Sequence, residues 1–87
     1  MASPKPIQFR GSSLADLRHF PDLARQEAGF QLFEVQLGHD PDDWKPMTTI
    51  GPGVREIRVR DPAGVFPVIC LARFEEAVCV LHCFQKK

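Results

Sequence analysis

The 87-residue sequence has no excess of charge of either sign, with eleven Lys and Arg against eleven Asp and Glu. That excludes a chain-wide basic field of the kind that grips nucleic acid without regard to its sequence. It has no apolar run near the roughly 18 residues that span a bilayer. Met1-Ala2-Ser3-Pro4-Lys5-Pro6 is not followed by the apolar core of a secretion signal. A cytoplasmic protein without membrane partners is therefore expected. Cysteine is scarce and odd in number, at Cys70, Cys79 and Cys83. Reduced thiols packed as small hydrophobes are the expectation. Cys79-x3-Cys83 encloses His82 but lacks the second short-spaced pair that a zinc knuckle needs, so no metal and no other cofactor is expected.

What is present is globular: 44% of the residues are hydrophobic and 25% charged. The length suits one core, so residues 1–87 are expected to form a single domain with residues 1–6 as a flexible lead. The zero balance conceals an asymmetry. Up to Trp44, seven acidic residues outnumber four basic ones, and from Lys45 onward seven basic residues outnumber four acidic ones. Such a chain can offer one face to an anion and another to a different partner.

Ile7-Gln8-Phe9-Arg10 alternates and predicts a short strand that Gly11 ends. Ser13 with Asp16 three residues on reads as a helix N-cap. Pro21 divides this short helix from a second over Asp22 to Leu37, with Gly38 as its stop. Ala24, Ala28, Leu32 and Val35 form the apolar stripe of the second helix, widened by Leu23, Phe30, Phe33 and Leu37. His39 to Gly53 holds three prolines and two glycines and reads as loop, with Trp44 and Met47 folding over one end of the core. Asp40, Asp42 and Asp43 beside His39 lack calcium-loop spacing and read as a solvated turn.

Beyond Gly53 the period becomes two. Val54–Arg60, Val65–Arg73 and Ala77–Phe84 predict a three-stranded antiparallel meander, with turns at Asp61-Pro62-Ala63-Gly64 and Phe74-Glu75-Glu76. The fold class is thus α+β: an N-terminal strand, a two-helix hairpin, then a meander with the helices on one face. Parity places Ile57, Val59, Leu81, Cys79 and Cys83 under the helices. It leaves Glu56, Arg58, Arg60, His82, Phe84 and Lys86 for the uncovered face.

Two stretches carry a family resemblance. Trp44-Lys45-Pro46-Met47 followed by Gly51-Pro52-Gly53-Val54-Arg55-Glu56-Ile57-Arg58-Val59-Arg60-Asp61 resembles the phage-derived, Gp49-like branch of the HigB toxins, within the RelE/ParE superfamily. The closing Val80-Leu81-His82-Cys83-Phe84-Gln85-Lys86-Lys87 is similar to that family's final strand. The likeness runs from about Lys5 to Lys87. It implies a RelE/ParE-like fold and the toxin of a type II toxin–antitoxin system, acting as a metal-independent endoribonuclease on ribosome-bound mRNA. It also implies a helix-turn-helix antitoxin as partner.

In such a reaction a ribose 2′-hydroxyl attacks the adjacent phosphorus, which calls for a proton acceptor, cations around the phosphorane and an acid for the leaving oxygen. Arg58 and Arg60 suit the cationic role because a guanidinium presents a planar fork to phosphate oxygens. His82 supplies an imidazole for acid–base work. Lys86 belongs to the same catalytic group. Lys87 and Arg55 would hold the RNA backbone, and Phe84 would stack on a base.

The sequence departs from the family where it has Pro67 in place of an Arg and Cys70 in place of a Tyr. Pro67 removes a cation and a ladder N–H, and it suggests an edge strand or a bulge. The Thr-rich tail and last helix usual in the family would follow Lys87. Alternating arginines on a strand are also what a solvated sheet face carries, and a lone strand histidine is often structural. Two other functions therefore stand beside the nuclease: a toxin-fold protein that only binds its antitoxin, and a ParE-like inhibitor of DNA gyrase.

Overall fold

The computed structural model describes residues 3–72 and 76–86. Its elements in chain order are β1 (Ile7–Phe9), α1 (Ser13–Arg18), α2 (Asp22–Gln36), β2 (Trp44–Pro46), β3 (Val54–Asp61), β4 (Gly64–Leu71) and β5 (Val78–Cys83). The strands form one sheet in the order β1-β5-β4-β3-β2. β1 runs parallel to β5, and the other pairs are antiparallel. The architecture is α+β, as expected, but the sheet has a fifth strand. β2 lies in the segment read as loop, pairing Trp44 with Ile57 and Pro46 with Arg55. Three residues suffice there because β2 lies on the sheet edge, where a proline loses no inner ladder bond.

The core lies between the helices and one face of the sheet. Leu17 and Phe20 pack with Ala24, Ala28, Leu32 and Val35 against Ile57, Val59, Phe66, Val68, Cys70, Val78, Val80 and Cys83. Two alanines on α2 let its backbone approach the strands closely. The buried arc of α2 is narrower than its apolar content suggested. Leu23 is 62% exposed, Phe30 52% and Phe33 45%, whereas Gln31 is buried. At about 100° per residue, Leu23, Phe30 and Phe33 fall on the side opposite Ala24, Ala28 and Val35.

Ser13 is not the cap of α1. Ser12 precedes the helix, and Ser13 lies within it, buried, with its Oγ donating to the Val80 carbonyl at 3.1 Å. The serine therefore ties α1 to β5. α2 starts after Pro21 and ends in a Schellman motif, with Gly38 at φ +86°. Gly38 N donates to Val35 O at 3.0 Å and His39 N to Glu34 O at 2.9 Å. Lys5 and Pro6, placed in the lead by the sequence, join the fold: Lys5 N donates to Gln36 O, and Val78 N donates to Pro6 O, each at 2.9 Å.

The β3–β4 hairpin turns on Pro62-Ala63. Asp61 Oδ1 accepts from Ala63 N at 2.7 Å, and Gly64 takes φ +138°. The turn expected at Phe74-Glu75-Glu76 lies, apart from Glu76, outside the described residues. Pairing of β4 with β5 shifts register between Ile69 and Cys70, leaving Leu81 as the extra residue of a bulge. The bulge reverses parity along β5. Val78 and Val80 reach the core before it and Cys83 after it. Cys79 and Leu81, expected under the helices, are instead only half-buried.

Pro67, expected at an edge or a bulge, sits in the central strand β4, two residues from the bulge pairing. Its carbonyl accepts from Phe84 N at 3.2 Å. The N and the carbonyl of one strand residue point to the same neighbour, so the rung missing at Pro67 is one toward β5.

Candidate nucleic-acid interface

Register on the face away from the helices arranges the predicted residues in three rows. Glu56 pairs with Ile69, and Ile69 with His82. Arg58 pairs with Pro67, whose carbonyl receives the Phe84 N–H. Arg60 pairs with Val65, and Val65 with Lys86. Arg58, Arg60, His82, Phe84 and Lys86 thus share one face across three neighbouring strands. The arginine and histidine columns are two strand spacings apart, about 10 Å. Pro67 and Ile69, at the centre, are buried although no helix covers this side. His82, Phe84 and Lys86 are exposed, and the His82 and Phe84 rings stack at 5.1 Å between centroids.

The side-chain heads divide into two clefts. Arg58 Nε lies 3.5 Å from Asp43 Oδ1 and 3.9 Å from Glu56 Oε1, and Arg60 Nη2 lies 3.4 Å from Asp43 Oδ2. Asp43 stands on the side of β3 away from β4, where its carbonyl accepts from Arg58 N at 2.9 Å. Both guanidiniums therefore turn toward the sheet edge, into a cleft of about 410 Å³ shared with Leu23, Glu27 and Gln31 of α2. Arg58 Nε is closed off from solvent without a hydrogen bond among the described residues. His82 and Phe84 line a second cleft, of about 500 Å³, with Asp16, His19 and Phe20. The structure gathers the predicted groups on one face without bringing the arginines and the histidine into one cleft.

Arg55 is elsewhere. It shares the parity of Ile57, its guanidinium lies over the Trp44 ring at 4.4 Å, and Nη1 meets Asp40 at 3.2 Å. It belongs to the helix side, near the end of α2. Lys87 lies outside the described residues.

His39, Asp40 and Asp42 are exposed, as expected of a solvated turn, and the loop is also tied to its neighbours. Asp40 and Asp43 meet arginines, His39 Nδ1 lies 2.9 Å from Glu34, and Asp42 bonds twice to Gln31. The two buried thiols, Cys70 and Cys83, are unsuited to attack at neutral pH. Burial pushes Cys70 up to about 11, against a lowering by Arg55. Burial, then Asp16 and then Cys70, push Cys83 up to about 12.

A family model described as phage derived protein Gp49-like (DUF891) matches residues 15–87. The chain belongs to the Gp49-like family. The match covers α1 from Ala15 onward, α2, the acidic loop and the four strands β2 to β5, hence both clefts of this Gp49-like protein. No curated protein matches the chain. Sequence reasoning about the Gp49-like chain missed Asp43 as the partner of both arginines and His19 as a lining residue of the His82 cleft. The only signal for either was residue type, since both meetings depend on how distant elements pack.

Proposed function

We propose that this Gp49-like protein is the toxin of a type II toxin–antitoxin pair with a RelE/ParE-like fold, and that it cuts mRNA on the ribosome. One observation carries the reading: Arg58, Arg60, His82, Phe84 and Lys86 occupy three adjacent rows of a single sheet face, the one opposite the helix-packed core. Family membership supports it. On that face an RNA strand lying across the sheet meets cations at one side, an aromatic ring in the middle row and an imidazole at the other side. Arg58 and Arg60 hold a neighbouring phosphate of the same strand once Asp43 releases them, Lys86 holds the flanking backbone and Phe84 stacks on a base. A zero net charge makes RNA affinity local, so the ribosome presents the substrate.

A second reading, a toxin-fold module that binds its antitoxin without cutting RNA, is favoured by Pro67. Buried in the middle row between Arg58 and Phe84, it supplies no cation there. Induction of the chain alone separates the two. The nuclease reading expects growth arrest with truncated transcripts, relieved by Arg58→Ala or His82→Ala in protein that remains folded. Harmless expression with intact transcripts supports the binding module.

A further inference from the structure

The C-terminal end of α1 brings to the His82 cleft an imidazole that the nuclease reading has not used. His19 stands at the C-cap of α1, exposed, and lines the same cleft of about 500 Å³ as His82 and Phe84. Its Nδ1 lies 2.6 Å from the Ala15 carbonyl. A carbonyl oxygen can only accept, so Nδ1 carries the hydrogen, and in the neutral ring Nε2 holds a free lone pair. His82 is held differently, by its stack on Phe84.

The other titratable groups lining the cleft are Asp16, from α1, and Cys83, from β5. Asp16 Oδ2 accepts from Ser12 Oγ at 2.9 Å, and the Cys83 thiol stays protonated at neutral pH. The N-cap of α2 and β4 bring only Pro21 and Phe66. Among the described residues, the cleft thus holds two imidazoles, the side-chain type used for general acid–base work.

We propose that His19 is the second catalytic residue of this site and that the cleft between α1 and β5 takes a single-stranded RNA phosphodiester with its 2′-hydroxyl. The proposal rests on the nuclease reading and assigns the proton transfers within it. His19 Nε2 takes the proton of the 2′-hydroxyl as that oxygen bonds to phosphorus. The bond from phosphorus to the 5′-oxygen breaks, and protonated His82 gives its proton to the departing oxygen. The products are a 2′,3′-cyclic phosphate and a 5′-hydroxyl, with one proton taken up and one released, so no oxidant, reductant or metal enters the balance.

The test is single-turnover cleavage of mRNA on programmed ribosomes as a function of pH, with the wild-type chain, His19→Gln, His19→Asn, His82→Gln and His39→Gln. His19→Asn keeps an N–H for the Ala15 carbonyl and guards against loss of the helix end. The expected result is a bell-shaped wild-type profile and cyclic-phosphate ends. Both His19 variants fall by about 10² to 10⁴ in rate and lose the acidic limb. His82→Gln loses the alkaline limb, and His39→Gln, remote from the cleft, matches wild type. His19 variants that cut at the wild-type rate with both limbs intact overturn this proposal and leave the nuclease reading standing. A wild-type chain that cuts no RNA removes the nuclease reading itself.

Discussion

Gln31 and Asp42 hold each other by two hydrogen bonds: Gln31 Nε2 donates to Asp42 Oδ2, and Asp42 N donates to Gln31 Oε1, each at 2.9 Å. Gln31 also reaches Glu27 Oε1 at 2.7 Å and is buried on α2. This pair anchors the acidic loop, and the next residue, Asp43, is thereby set against Arg58 and Arg60. Gln31→Leu removes both bonds and leaves the Asp42 groups without their partner. A loss of about 1–3 kcal/mol is expected, read as a lower urea midpoint at unchanged slope.

Asp43 neutralises two guanidiniums while its own side chain is 42% exposed. Half-exposed pairs of this kind contribute about 0–1 kcal/mol each, so Asp43→Asn changes stability little. It frees Arg58 and Arg60 for phosphate. The variant is expected to bind single-stranded RNA severalfold more tightly, with a steeper fall of affinity as salt rises, as fluorescence anisotropy across a salt series would show.

The buried thiols make stability fall in alkali. Cys70 and Cys83 keep their protons to about 11 and about 12, against 9.0 when unfolded. Above pH 9 the unfolded chain binds fewer protons than the folded one, so stability present below pH 9 is lost as pH rises. The slope approaches about 1.4 kcal/mol per pH unit for each thiol. Urea melts from pH 8 to pH 11 are expected to show this decline, and Cys70→Ala with Cys83→Ala flattens it whatever the variant's stability at pH 8.

Ser13 Oγ closes a buried bond to Val80 O, whereas Ser12 Oγ reaches Asp16 at an exposed position. Ser13→Ala is expected to cost about 1–2 kcal/mol and Ser12→Ala less, a difference that paired denaturation curves measure.

The contrast between these serines marks where the sequence is legible. Alternation along β3 and β4 sorts Arg58 and Arg60 from Ile57 and Val59 because strand parity is local. Parity also put His82, Phe84 and Lys86 on that face, since they follow the bulge, while Cys79 precedes it and was misplaced. β2 could not be read because three residues containing Pro46 carry no period of their own and exist by pairing with β3. Leu23, Phe30 and Phe33 are apolar yet exposed, because their angular position on α2, and not their residue type, decides burial. At the candidate site, residue types and face were legible. The direction of the arginine heads was not, because it depends on Asp43, and Asp43 depends on Gln31 of another element.

The most direct test of the central claim is the length and end chemistry of mRNA from translating ribosomes incubated with the purified chain, beside Arg58→Ala and His82→Ala. New 3′ ends bearing cyclic phosphate are expected with the wild-type chain, and their loss, in folded protein, with either variant. Intact mRNA with the wild-type chain, or equal cutting by all three, contradicts that claim.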